Sequence, residues 1–207
     1  ANNFGQADAG GIGIRNTSST VTIIDSTISN NAADAGFGQG SGGGISLSDA
    51  GSGSEHHVRV INSTISGNSA AQWGGGIYNF STGLEIINST IVNDSIGGSL
   101  NTRGGGGIYD GELARSGTFG FRFTLQNSII ADNTAATGPD LDSGFDSVGY
   151  NIIGNTADTN NSLPAIGDQF DVDPLVGPLA DNGGATLTHA LLPGSPAIDK
   201  GKSADVI

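Results

Sequence analysis

Two pairs of aspartates are the first residues in this 207-residue chain whose spacing suggests chemistry. Asp140 and Asp142 lie in "GPDLDSG", and Asp171 and Asp173 in "FDVDP". On an extended strand, carboxylates at i and i+2 face the same way, roughly 6.6 Å apart. Such pairs could contribute ligands to Ca2+, which gathers six to eight oxygens, or do paired acid–base work. Neither an EF-hand loop nor a Gly-Gly-x-Gly-x-Asp calcium repeat occurs, so no complete cage is visible and no cofactor is required. His56 and His57 follow Glu55 in a Gly/Ser-rich stretch, the setting of a solvated loop tip. Thr27, Thr64 and Thr90, with Ser29 and Ser66 beside them, form a column that could match ice. Ile129 breaks it in the fourth copy, and an ordinary exposed strand face is expected.

Composition narrows the field. Net charge is −13, from 20 acidic residues against seven Lys and Arg, so the surface would repel nucleic acid and anionic lipid. Arg15, Arg59, Arg103, Arg115 and Arg122 are scattered, without a basic patch. There is no Cys, hence no disulfide or thiolate metal site, and no run of about 18 apolar residues to cross a membrane. No Met and no signal peptide are present, as expected of a mature product or an excised segment. Only 35% of residues are hydrophobic and 36 are Gly, values that would also fit a low-complexity chain. The regular placement of Ile, Val and Leu argues instead for a repeated fold.

The repeat is legible column by column in "VTIIDSTISNN" (21–31), "VRVINSTISGN" (58–68), "LEIINSTIVND" (84–94) and "FTLQNSIIADN" (123–133). Val21, Val58, Leu84 and Phe123 head the first column, and Ile23, Val60, Ile86 and Leu125 the third. Polar residues between them give the period-two alternation of a half-buried strand. A polar bend follows at Asp25, Asn62, Asn88 and Asn127, then an apolar column of Ile28, Ile65, Ile91 and Ile130. A Gly-Gly-Ile element precedes each copy, its isoleucines Ile12, Ile45, Ile77 and Ile108 spaced 33, 32 and 31 residues apart. Each unit therefore offers about three short strands that cannot bury their apolar faces alone, and stacking the units does so. The expected fold is all-β, a right-handed parallel β-helix of about five coils, with "DSVGYNIIGN" (146–155) as a weaker fifth. Asn columns at the bends, including Asn62 and Asn88 of the Asn-Ser-Thr sequons, are expected to form inward amide ladders, a second one running through Asn31, Asn68, Asp94 and Asn133.

The inserts at 48–57 and 110–121 fall between the same two strand types and should project from one side. Trp73, Tyr78, Tyr109, Phe119 and Phe121 are candidates for a carbohydrate-stacking platform near them. Residues 1–155 read as coils and 156–207 as an irregular C-terminal segment capping the last one. The stretch "LADNGGATLTHALLPGSPAIDKG" (179–201) closely resembles the C-terminal part of bacterial β-helix proteins called choice-of-anchor Q domain proteins, and "NSIIADN" and "GYNIIGN" resemble that family's last coils. The "GGGI…NSTISGN" units also resemble the repeats of polymorphic outer-membrane proteins. The first resemblance implies a secreted or cell-surface bacterial protein and a structural role for His189 within the cap.

Two functions are open at this point. One is a structural or adhesive module of the bacterial exterior, meeting a polysaccharide or a neighbouring cell surface. Its uncovered first coil would then be met by further repeats or by another subunit end to end, as in a filament. The other is a carbohydrate-binding or lyase-like β-helix. The coil region carries five Arg and no Lys, none in a recognisable cluster with acids, and the Asn-Thr-Asp, Gly-His-Gly and Arg-Ile-Lys motifs of galacturonases are absent, so enzyme activity is not expected.

Overall fold

The computed structural model describes residues 3–5, 9–15, 19–34, 40–48, 57–80, 82–97, 104–111, 122–159 and 164–202. The period-two runs form short strands, and a bend after each turns the chain through a coil that stacks on the one before. Strand β1 (Phe4–Gly5) comes first. The first coil is β2 (Ile12–Arg15), β3 (Val21–Ile24), β4 (Thr27–Ser29) and β5 (Ala32–Ala33). The second is β6 (Ile45–Ser48), β7 (His57–Ile61), β8 (Thr64–Ser66) and β9 (Ser69–Ala70). The third is β10 (Ile77–Phe80), β11 (Gly83–Ile87), β12 (Thr90–Val92) and β13 (Ser95–Ile96). Coil four holds β14 (Ile108–Asp110), β15 (Phe123–Gln126) and β16 (Ile129–Ala131), and coil five β17 (Leu141–Asp142), β18 (Asp146–Gly149) and β19 (Ile152–Ile153). Then come β20 (Gln169–Phe170) and an antiparallel hairpin of β21 (Val176–Ala180) and β22 (Thr188–Leu191).

Like strands of successive coils pair in parallel, giving four sheets along a right-handed solenoid: sheet A (β1-β5-β9-β13), sheet B (β2-β6-β10-β14-β17), sheet C (β3-β7-β11-β15-β18) and sheet D (β4-β8-β12-β16-β19-β20). The register follows the sequence columns: Ile12, Ile45, Ile77, Ile108 and Leu141 stack on one line, and Ile28, Ile65, Ile91, Ile130, Ile153 and Phe170 on another. These lines meet in a single core that grows aromatic at its C-terminal end, where Phe123, Phe145 and Phe170 pack ring to ring at 6.2 Å. In the first three coils sheet A supplies a fourth strand that the sequence columns do not show.

Two bends recur in each coil, and they behave differently. At the first, Asp25, Asn62, Asn88 and Asn127 take φ near +50°, the left-handed region that Asn and Asp tolerate best among residues with a side chain. That conformation turns Asp25 and Asn62 to the surface, where Asn62 Nδ2 donates to Asp25 Oδ1 and Asn127 Nδ2 to Asn88 Oδ1. The expected inward ladder at this column is thus an outer one. Beneath it runs a serine ladder: the Oγ of Ser63, Ser89 and Ser128 each bonds the carbonyl two residues back and accepts the N–H of the serine one coil earlier.

The second bend carries the buried ladder. The N–H of Asn3, Asn31, Asn68, Asp94 and Asn133 each donates to the side-chain oxygen one coil further on, the series ending on Asp140. This ladder explains the Gly-Gly-Ile motif. A Cβ on Gly76 would lie 2.6 Å from Asp94 Oδ2 and 2.7 Å from the Gly107 oxygen, so only glycine lets the backbone pass. In the fifth coil Asp140 stands in register with Gly107, and its carboxylate supplies the ladder's last acceptor.

The segment expected to cap the last coil extends well beyond it. Phe170 closes the core end, but the hairpin folds back along the outer face of sheet D. There Thr27 Oγ1 donates to the Leu187 oxygen, and His189 bonds Ser66 Oγ through Nε2 at 2.9 Å and the Gly177 oxygen through Nδ1 at 2.7 Å. A carbonyl only accepts, so Nδ1 carries a proton and donates to the Gly177 oxygen. The expectation of an exposed threonine face is corrected here: Thr64 is only 5% exposed, because the hairpin lies over it.

Candidate functional site

The four aspartates singled out for a metal are each engaged separately. Asp140, 1% exposed, accepts from Asn133 N and Nδ2 at Oδ1 and from Asn155 N at Oδ2. Burial raises its pKa to about 6 against those bonds. Half-buried Asp142 is also raised, by burial and then by the nearby Asp158 charge. Asp171 accepts from Thr156 N and Oγ1, bonds that lower its pKa, and Asp173 accepts from Leu175 N. Among the described residues no three of His, Asp and Glu gather as a metal ion would need. His57 is exposed at the start of β7, while Glu55 and His56 lie outside the described residues.

The structure does gather the aromatics. Along each strand of sheet B the first and third residues point into the core and the second and fourth outward: in β10, Ile77 and Asn79 are buried, while Tyr78 and Phe80 are half-buried on the outer face. Register places Ser46, Tyr78, Tyr109 and Asp142 in one outward column, one coil apart each. The rings of Tyr78 and Tyr109 lie 5.6 Å apart at 16°, and Phe80 continues the strip 6.3 Å from Tyr78 at 7°. Trp73, from the corner before β10, lies 6.2 Å from Tyr78 and 5.9 Å from Tyr109. Four aromatic rings therefore form one half-buried strip, ending in the Asp142 carboxylate, on a face that also presents Gly13, Arg15 and Ser48, with Ser46 buried in the same column. Phe80, unlike the other three, was not among the sequence candidates, although its i+2 spacing from Tyr78 was the available signal. Phe119 and Phe121 lie outside the described residues.

A third grouping sits beside the hairpin. Asp132, near Asp173 and His189, has its pKa raised by burial and the Asp173 charge and opposed by His189. A separate cleft lies between the hairpin turn at Gly184–Thr186 and the outer ladder residues Asn62 and Asn88.

Residues 62–79 match a family profile described as the Chlamydia polymorphic membrane protein repeat. The matched stretch runs from the Asn62 bend through β8, the Asn68 rung and Trp73 to Asn79 in β10, so it spans the first bend, the buried ladder and half of the aromatic strip. No curated protein and no solved structure matches the chain.

Proposed function

We propose that this chain is an adhesive or structural module of the bacterial cell exterior, a rigid spacer that carries binding surface on its sides. The observation that carries this reading is the stack of like strands, held together by side-chain ladders at its bends and containing a repeat of the polymorphic membrane protein kind. Proteins named for that repeat are membrane proteins, which supports a surface-associated setting here. The likeness of residues 179–201 to choice-of-anchor Q domain proteins supports the same setting. Stacked coils suit such a role physically: every added rung extends the surface without a new core design. The test is protease shaving and antibody labelling of intact producing cells. Labelling without permeabilisation is the expected result, and a pool accessible only after lysis would overturn the reading.

A further inference from the structure

We propose that the strip formed by Trp73, Tyr78, Phe80 and Tyr109 on sheet B binds a neutral glycan chain, an inference that rests on the adhesive reading above and names its ligand class. Half-buried aromatic rings offer apolar area on the outer face of the sheet. A pyranose presents the matching pattern, a C–H face rimmed by hydroxyls, so it can cover a ring while its hydroxyls bond at the rim. Two neighbouring columns supply such rim partners: Asp142 continues the register below Tyr109, and Ser48 stands one coil above Phe80. Successive coils lie roughly 4.8 Å apart, close to the length of one hexose in a linear chain, so the repeat of the stacked Tyr78 and Tyr109 matches the repeat of the polymer.

Charge decides between glycan types. The chain carries −13 overall, and Asp142 with Asp158 beside it closes one end of the strip. Arg15, two coils above Phe80, is the one basic side chain in the outward columns of described sheet B residues. A uronate or sulfated polymer would meet net repulsion, whereas a neutral polymer would not. An apolar peptide could use the apolar ring area, but it brings only its backbone N–H groups, in place of a rim of hydroxyls, to Asp142 and Ser48.

The chain contains a single tryptophan, and it lies in the strip, so intrinsic emission reports the site directly. The full chain is titrated with cellohexaose, mannohexaose and N-acetylated chitohexaose, with hexagalacturonate as the charged comparison. The expected result is a saturable change in Trp73 emission with at least one neutral hexasaccharide, at least tenfold weaker with hexagalacturonate. Tyr109→Ala should weaken it tenfold or more, and Tyr109→Leu, which keeps apolar bulk, should do the same while melting like the parent. Calorimetry repeats the titration without relying on emission. No saturable response to any neutral hexasaccharide, equal affinity for hexagalacturonate, parental affinity in Tyr109→Leu, or displacement of the glycan by an apolar decapeptide at lower concentration would each overturn the proposal. A chain found on the cell surface that fails these titrations removes only the glycan inference. A chain that binds glycan but stays inside the cell removes only the location.

Discussion

Asp94 holds a position that three other coils give to Asn31, Asn68 and Asn133. Its Oδ1 accepts from Asn68 N and Nδ2, as an asparagine oxygen would. The other atom differs. Asn68 and Asn133 use Nδ2–H to donate to the carbonyls of Ile28 and Ile91, whereas Asp94 Oδ2 is buried and makes no hydrogen bond. A carboxylate has no proton to give there, but a carboxylic acid does, and burial raises the Asp94 pKa well above its usual value. Asp140 is raised to about 6 for the same first cause. A folded pKa above the unfolded value of about 3.9 means stability that is complete below that value and lost as pH rises through the folded one. The chain should therefore melt higher near pH 4.5 than at pH 7.5, with Asp140 and Asp94 both contributing to the loss as pH rises above about 4 and the Asp140 part complete by about pH 6. Asp94→Asn should remove the Asp94 share of that loss and raise stability at pH 7.5 by about 1–3 kcal/mol. Denaturant melts of both proteins across pH check this, and an unchanged pH profile in the variant would refute it. The column itself was legible in the sequence. That one rung is an acid acting as an amide was not, because burial of the carboxyl is set by coils above and below it.

At the scale of elements, the strands announced themselves wherever alternation ran for four residues, as in Val58–Ile61 and Leu84–Ile87. Sheet A stayed hidden because its strands are two residues long and carry Ala, Ser and Gly, which have no period to read. The aromatic strip was half legible: Tyr78 and Tyr109 share a place in their repeats, but Trp73 reaches them from a corner whose direction no periodicity gives. The hairpin on sheet D was beyond reach, since Thr27 and Leu187 meet across 160 residues. Its position changes what substitutions on β8 should do. Ile65→Asp places a charge in a fully buried column and should cost several kcal/mol. Thr64→Asp would be harmless on an open face, yet beneath the hairpin it should cost about 1–3 kcal/mol. Urea melts separate the two pictures: a Thr64→Asp effect within about 0.5 kcal/mol would mean the hairpin does not sit on that face.

A stack of coils touches only its neighbours, so each coil can in principle open from an end without the rest. Here the hairpin contacts Thr27 in the first coil and Ser66 in the second, while Pro174 and Pro196 anchor its base through Ser195 and Gln169 near the last. Opening the first coil then requires the hairpin to let go as well. Ending the chain after Asp173 should lower overall stability by roughly 2–4 kcal/mol. It should also let the amides of β3 and β4 exchange ahead of those in β11 and β12, where the full chain protects them together. Equal protection in the shortened chain would show that the hairpin does not couple the coils. The same arrangement decides how the molecule would respond to tension. Pulled between its ends, an unstrapped solenoid would yield like an unwinding spring, one coil giving way at low force before the next is loaded. With a strand pair laid lengthwise across several coils, the pull is shared between the stack and a tether running beside it. Extension then waits for several contacts to shear at once, which is a useful property for anything that must hold on in a current.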